Sequence, residues 1–375
     1  MVDALRASRI DYGGPDHIDG LYIVGNSNVR NLERPHLPTL AASEPTENVP
    51  NVPLDSDGKV GIHCPSLFDV FTQGDIVWAD SRRKVLQSII SSKSTANTLL
   101  VTEQCDNRCQ FCSQPPKELP DDYLYERAAL ALLNFDGAEF VGVSGGEPTL
   151  NRQSFLAFMR LLKSFDCKTP LHILTNGRRF SDTQFIEELS PFVQSKDILW
   201  GIPLYGYSGN LHDDLVQADG AFVETYNGLL NLAAIGQSVE LRIVPVQRNI
   251  SELPRIVELV ANSFPFVTMI SIMNLEPKGW ARKNYSSLNV PIKQQVLYLE
   301  KSISIASIHG ITVNLFNYPL CLIPNSIWDC ACQSISDWKN YYPEPCQYCD
   351  VIDKCGGFFT SANGKFIEPL EPIQL

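Results

Sequence analysis

The sequence is short of positive charge and of long apolar runs. Its 375 residues hold 30 Lys and Arg against 42 Asp and Glu, for a net charge of −12. That balance argues against nucleic acid or an anionic membrane surface as the main partner. No stretch reaches the roughly 18 consecutive apolar residues of a spanning helix. The opening residues, MVDALRASRIDYGGPDHIDG, lack the basic-then-apolar layout of a secretory signal, so a cytoplasmic protein is expected. Histidine is scarce, at six. What remains is an ordinary globular composition, 44% hydrophobic and 19% charged, with ample material for a core.

Cysteine breaks this plainness, with eleven in the chain. Cytosolic thiols stay reduced and more often bind metals or catalyse than pair as disulfides. Nine of the eleven fall in two groups: Cys105, Cys109 and Cys112, then Cys321, Cys330, Cys332, Cys346, Cys349 and Cys355. Cys64 and Cys167 stand alone. Two groups at the ends of one long segment suggest two metal centres.

Residues 1 to 96 read as an accessory region. Its first part is polar and proline-rich, as in NLERPHLPTLAASEPTENVPNVPLDSDG. Leu21–Val24 and Asp75–Trp78 read as short strands, and SRRKVLQSII at 81–90 as a helix. From residue 97 the pattern changes to strand–helix alternation. The expected strands are Thr98–Thr102, Phe140–Ser144, Leu171–Thr175, Ile198–Pro203, Val239–Val246, Thr268–Asn274 and Thr312–Phe316. Between them lie helices at Tyr123–Phe135, Arg152–Phe165, Asp182–Leu189, Ala221–Ile235, Ile250–Ser263 and Lys293–His309. This order predicts an α/β fold, a partial (β/α)6 barrel over 97–310, followed by a cysteine-rich extension over 311–375. In barrels the chemistry sits at the carboxyl ends of the strands.

CDNRCQFC directly follows the first barrel strand. A structural zinc site takes four ligands, usually in two pairs, and no fourth Cys or His is near in sequence. Three thiolates on a four-iron cubane instead leave one iron open. The spacing, with Phe111 just before the last cysteine, resembles the signature of the radical S-adenosylmethionine (SAM) superfamily. The resemblance implies a [4Fe-4S] cluster on Cys105, Cys109 and Cys112, with SAM bound at the open iron and Phe111 against its adenine. The second strand ends in Ser144-Gly145-Gly146-Glu147-Pro148-Thr149. Glycines let backbone approach a ligand, and a carboxylate pairs with a cationic amine. One strand–helix unit after the cysteines, Gly145, Gly146 and Glu147 match the superfamily motif that grips the methionine amino group. The resemblance also puts Thr175 and Asn176 at the ribose or methionyl end, Arg242 at the cofactor carboxylate, and Asn274 and Glu276 at the adenine or the substrate. Arg242 also reads as a salt bridge within the barrel. His212 is a secondary candidate for a proton donor.

Cys346, Cys349 and Cys355 resemble the auxiliary-cluster extensions called SPASM and twitch. Gly356 to Phe359 follow where a full SPASM extension would add cysteine, so a single auxiliary [4Fe-4S] cluster is implied. Cys321 sits where the first twitch cysteine lies; Cys330 and Cys332 are alternatives for the fourth ligand, and zinc is the other reading of the group. The motifs GVSGGEPTL, GIPLYG, NLEPKGWAR and the late cysteine segment together resemble the C-type radical SAM maturase of His-Xaa-Ser peptide systems over residues 97 to 360. That implies a ribosomal precursor peptide with His-Xaa-Ser repeats, a companion radical SAM maturase, and a reductant such as flavodoxin or ferredoxin. The implied outcome is an oxidative crosslink at His or Ser. A small-molecule radical enzyme of the same layout and a zinc-stabilised peptide-binding protein are the competing readings.

Overall fold

The computed structural model describes residues 20–24, 39–40, 70–80, 85–137, 140–194, 196–334 and 339–375. The proline-rich segment before residue 70 lies outside these residues, except for two short strands. The chain divides into two compact units. The first comprises Met1–Thr102, Asp121–Val143 and Gln153–Leu171; the second comprises Glu103–Pro120, Ser144–Arg152 and His172–Leu375.

The first unit carries a four-stranded sheet of β1 (Gly20–Val24), β2 (Thr39–Leu40), β3 (Ile76–Asp80) and β4 (Val85–Ile90), in the order β2-β1-β3-β4. β4 corrects the expected helix over 81–90. Its pattern of Val85, Ile89 and Ile90 suits a pleated surface, and it pairs antiparallel with β3. Residues 81–84 fall outside the described set. Asp75 closes the neighbouring turn, its carboxylate accepting the Thr72 N–H at 2.8 Å and the Ser92 N–H at 2.6 Å.

The second sheet has eight strands: β5 (Asn97–Thr102), β6 (Val141–Gly145), β7 (Leu171–Leu174), β8 (Ile198–Pro203), β9 (Ser238–Ile243), β10 (Met269–Met273), β11 (Thr312–Phe316) and β12 (Ala331–Cys332). They follow one another in chain order across the sheet. β8 through β12 pair parallel at every step, the topology of a barrel wall built from crossover helices. The expected α/β partial barrel is present, with β5 to β10 supplying the six repeats and β11 and β12 continuing the sheet.

Alternation along the strands decides what each face carries. Trp200, Ile202, Leu241, Ile243, Ile270 and Ile272 are fully buried on one face. Gly201, Glu240, Arg242, Ser271 and Met273 occupy the other, in matching register across β8, β9 and β10. β9 stops at Ile243, earlier than expected. Pro245 offers no N–H, and the Asn249 side chain takes the Val246 N–H at 2.7 Å and the Val244 carbonyl at 3.2 Å, turning the chain.

The helices are α1 (Tyr123–Leu133), α2 (Arg152–Ser164), α3 (Thr183–Val193), α4 (Gly209–Val216), α5 (Ala221–Ala234), α6 (Leu253–Ser263), α7 (Gly279–Lys283), α8 (Tyr285–Leu288) and α9 (Ile292–Ile308). α6 buries Leu253, Ile256, Val257, Val260 and Ala261, a stripe at helical spacing. α3 starts at an Asp182 cap that accepts the Gln184 and Phe185 N–H groups. It runs past the expected end because Phe185, Ile186, Leu189 and Val193 bury one continuous face despite Pro191. Among the described residues no helix is long and apolar enough to cross a membrane. The extension ends with β13 (Asn340–Tyr341) and β14 (Phe358–Phe359), an antiparallel pair.

α5 seats the loop after β7. Thr225 Oγ1 donates to the Asn176 carbonyl at 3.0 Å, and a Cβ at Gly228 would overlap the Gly177 carbonyl. A Gly→Ala change inside a helix ordinarily stabilises by about 1 kcal/mol. Here Gly228→Ala is expected to destabilise by about 1–3 kcal/mol through overpacking, read as a lower midpoint in urea unfolding; a higher midpoint would contradict the packing.

Candidate active site

Residues 103 to 120 form an irregular loop after β5, and its backbone groups find partners on the ends of later strands. The Glu147 N–H, just past β6, donates to the Gln104 carbonyl at 2.7 Å. Past β7, Arg178 Nη1 donates to the Asp106 carbonyl at 3.2 Å; it also donates to Asn107 Oδ1 at 2.8 Å, and Asn176 Nδ2 donates to Asp106 Oδ1 at 2.7 Å. Beyond β8, the carbonyls of Val216 and Leu215 at the end of α4 accept the Arg108 and Gln110 N–H groups at 2.8 and 3.0 Å. Beyond β10, the Trp280 N–H donates to the Cys112 carbonyl at 2.8 Å.

Two glycines make this closeness possible. A Cβ at Gly146 would overlap the Gln104 carbonyl and stand 3.1 Å from Cys105 Cβ. Gly279, at φ 58, has the Cys112 and Ser113 carbonyls 2.6 Å from where its Cβ would be. Only glycine tolerates both the backbone conformation and the contact there.

Glu147 is buried and its carboxylate is held by its own chain. Oε1 accepts from the Thr149 N–H and hydroxyl at 2.8 and 2.6 Å and from the Thr175 hydroxyl at 2.6 Å; Oε2 accepts the Asn176 N–H at 2.5 Å. Burial, followed by the Asp106 charge, pushes its pKa up against these hydrogen bonds. A ligand amine therefore has the remaining lone pair of Oε2 to address. Thr175 and Asn176 act on Glu147 and the cysteine loop. Asn274 Oδ1 accepts the Leu275 N–H at 2.9 Å, and Glu276 pairs with Lys339 at 3.0 Å.

The three thiols are all pushed up by burial, Cys109 to about 12, so a bare thiolate is disfavoured where they stand. A cationic metal group would reverse that preference. Asn107 N–H already faces Cys105 Sγ at 3.4 Å, as a donor to a ligating sulfur would. No three of the described His, Cys, Asp and Glu residues converge on a point that would hold one metal ion. A cubane asks for thiols at its corners, and this donor set fits that group.

The family model described as the Radical SAM superfamily matches residues 99–260. The match makes this segment similar to that superfamily, over less than half of the chain. Among solved structures, anSMEcpe with bound AdoMet and Cp18Cys peptide is 15% identical, with a TM-score of 0.51 over 73% of this chain and 91% of that one. SuiB from Streptococcus suis, bound to S-adenosylmethionine, is 17% identical with a TM-score of 0.48. That match covers 62% of this chain and 52% of SuiB, so the chain spans about half the length of SuiB. Coproporphyrinogen III oxidase from Escherichia coli, a radical SAM enzyme, is 17% identical with a TM-score of 0.42, over 58% of this chain and 54% of that one. No curated protein matches the chain.

Phe111 is buried in an apolar cluster with Leu215, Val246, Leu275, Ala281 and Leu288. Its ring meets Tyr205 edge-on at 4.7 Å. Tyr205, just past β8, is a residue that sequence reasoning passed over inside GIPLYG. Burial pushes the pKa of its hydroxyl up. Arg242 pairs with Glu240 at 3.1 Å, so the salt-bridge reading holds, and 16% of its side chain stays exposed.

His212 is not placed for proton donation. It is 1% exposed, stacks on Tyr205, and its Nδ1 accepts the Tyr205 N–H at 3.2 Å. Burial pulls its pKa down to about 4, so it is neutral at working pH.

In the extension, Cys321, Cys346, Cys349 and Cys355 line one cavity, together with Tyr342, Phe358 and the segment Leu370–Ile373. The N–H groups of Leu320 and Gly357 each face Cys355 Sγ at 3.4 Å. Burial, then the charges of Cys355, Cys346 and Cys349, pushes Cys321 up to about 11. Cys330 and Cys332 are not among the cavity's lining residues; they flank Ala331 at β12.

His212 provides a test. Its depressed pKa gives stability that is present above the unfolded value of about 6.5 and is lost as pH falls through about 4. The wild-type chain is expected to lose up to about 3 kcal/mol over that window from this group. His212→Gln should lose correspondingly less in urea unfolding at pH 7 and pH 4. Equal losses would contradict a neutral, buried His212.

Proposed function

We propose that this chain is a peptide maturase acting on a ribosomally made precursor with His-Xaa-Ser repeats, beside a companion radical SAM maturase and with flavodoxin or ferredoxin as reductant. The observation that carries the reading is the convergence of the Glu147 turn, Asn176, Arg178 and Trp280 on the loop of Cys105, Cys109 and Cys112. When bound there, a [4Fe-4S] cluster and SAM supply a 5′-deoxyadenosyl radical that removes a hydrogen atom from a substrate carbon.

The chain's own groups bind and orient. Cys105, Cys109 and Cys112 hold three corners of the cluster. The Gly145–Gly146 backbone and Glu147 Oε2 meet the methionine amine, and Arg242 meets its carboxylate. Phe111, set in its apolar cluster, and Asn274 bound the adenine side. We assign Cys321, Cys346, Cys349 and Cys355 to an auxiliary [4Fe-4S] cluster. Four chain thiolates leave no place there for a substrate ligand, so the extension over 311–375 serves electron transfer. Residues 97–310 act as the catalytic barrel and 1–96 as an accessory region. The anSMEcpe structure holds a peptide beside AdoMet, which supports a peptide substrate over a small molecule.

Co-expression with the precursor followed by mass spectrometry tests the reading. The wild-type chain should yield a peptide lighter by the hydrogens an oxidative bond removes. Cys105→Ala should abolish both that product and 5′-deoxyadenosine, whereas Cys349→Ala should keep 5′-deoxyadenosine and lose the product. An unmodified precursor alongside turnover on a small molecule would contradict the peptide reading, and full product from Cys349→Ala would remove the auxiliary role.

A further inference from the structure

A buried polar layer lies on the sheet face opposite the apolar core, and of its members only Arg242 was given a role above. His172 on β7 and Glu240 on β9 are 7% and 1% exposed. Their side chains meet, His172 Nε2 to Glu240 Oε2, at 2.7 Å, although β8 runs between their strands.

Gly201 makes the contact possible. It stands in register with Glu240, and a Cβ at that point would meet Leu174 Cδ2 at 2.6 Å, His172 Nε2 at 2.9 Å and Arg242 Cδ at 3.1 Å. Any side chain on β8 here would close the passage through which His172 reaches Glu240 and along which the Arg242 stem lies.

Glu240 in turn receives Arg242 Nη1, 3.4 Å from Oε1 and 3.1 Å from Oε2. Arg242 Nη2 donates to Met273 Sδ on β10 at 3.0 Å. A planar guanidinium has five N–H donors in a fixed fork, and these contacts use Nη1 twice and Nη2 once. The rest stay available, as the 16% exposure of the Arg242 side chain allows.

Stability alone gives little reason for such a layer. Replacing a buried ion pair with apolar residues of similar volume is often neutral or stabilising. Burial by itself would push the Glu240 carboxyl up, yet Arg242 and His172 override it and bring the pKa to about 2. Glu240 is thus a fixed anion beneath a cation that keeps free donors.

The geometry points to Glu240 as the positioning residue of Arg242: anchored by His172 through the opening at Gly201, it fixes the guanidinium fork for an anionic group of the bound ligand. This rests on the reading of Arg242 as the partner of the SAM carboxylate. Glu240 does not touch the ligand in this arrangement. It sets ground-state binding and leaves the chemical step alone.

The test compares reconstituted wild-type protein with Glu240→Gln and Met273→Leu, using SAM itself as the probe. In Glu240→Gln the dissociation constant for SAM by calorimetry and the KM for 5′-deoxyadenosine formation should both rise about ten-fold, with kcat within about two-fold. Met273→Leu keeps both charges and nearly the same volume. It should move the same constants about three-fold in the same direction, and it keeps the test open if Glu240→Gln does not fold. Unchanged binding and KM overturn the inference, as does a fall in kcat at constant KM. A wild-type chain that binds no SAM would instead overturn the proposed function.

Discussion

A loop without helix or strand must find partners for every buried backbone group. The cysteine loop finds several of them on the turns that follow β6, β7, β8 and β10. That requirement explains much of the surrounding sequence. Gly146 and Gly279 are glycine because the loop's carbonyls lie where a side chain would begin. α4 is short and ends at Val216 with its last carbonyls turned to the loop. The barrel thus fixes three thiols that the loop alone could not hold.

The two buried carboxylates reach different solutions. Glu147 sits near Asp106 and the thiols, where burial and like charge raise its pKa, and neutral donors from Thr149, Thr175 and Asn176 hold it. Glu240 has Arg242 and His172 beside it and stays ionised. The cysteine end therefore gathers groups that are easier to charge once positive charge is bound there, while the sheet face beneath it is already paired. An iron–sulfur cluster with a cationic sulfonium ligand would complete the first arrangement without disturbing the second.

Much of this was legible in the sequence because the strands carry strong local signals. Ile198–Pro203 and Thr312–Phe316 matched residue for residue. The cysteine and Gly-Gly-Glu motifs were visible because their spacing spans one strand–helix unit. The misread 81–90 segment has strand-forming Val85, Ile89 and Ile90, but its pairing with β3 is a tertiary fact. His212 looked like a loop histidine because α4 is too short to show a period. The link from His172 to Glu240 crosses 68 positions and depends on an absent side chain at Gly201, which no local pattern reveals.

Everything proposed for this chain depends on SAM binding at a cluster held by Cys105, Cys109 and Cys112. The most direct measurement is electron paramagnetic resonance of the anaerobically reconstituted, reduced chain before and after adding SAM. About eight irons per chain and a SAM-dependent change in one cluster signal are expected, with that change absent when Cys109 is alanine. A colourless zinc protein, or a cluster signal indifferent to SAM, would contradict it.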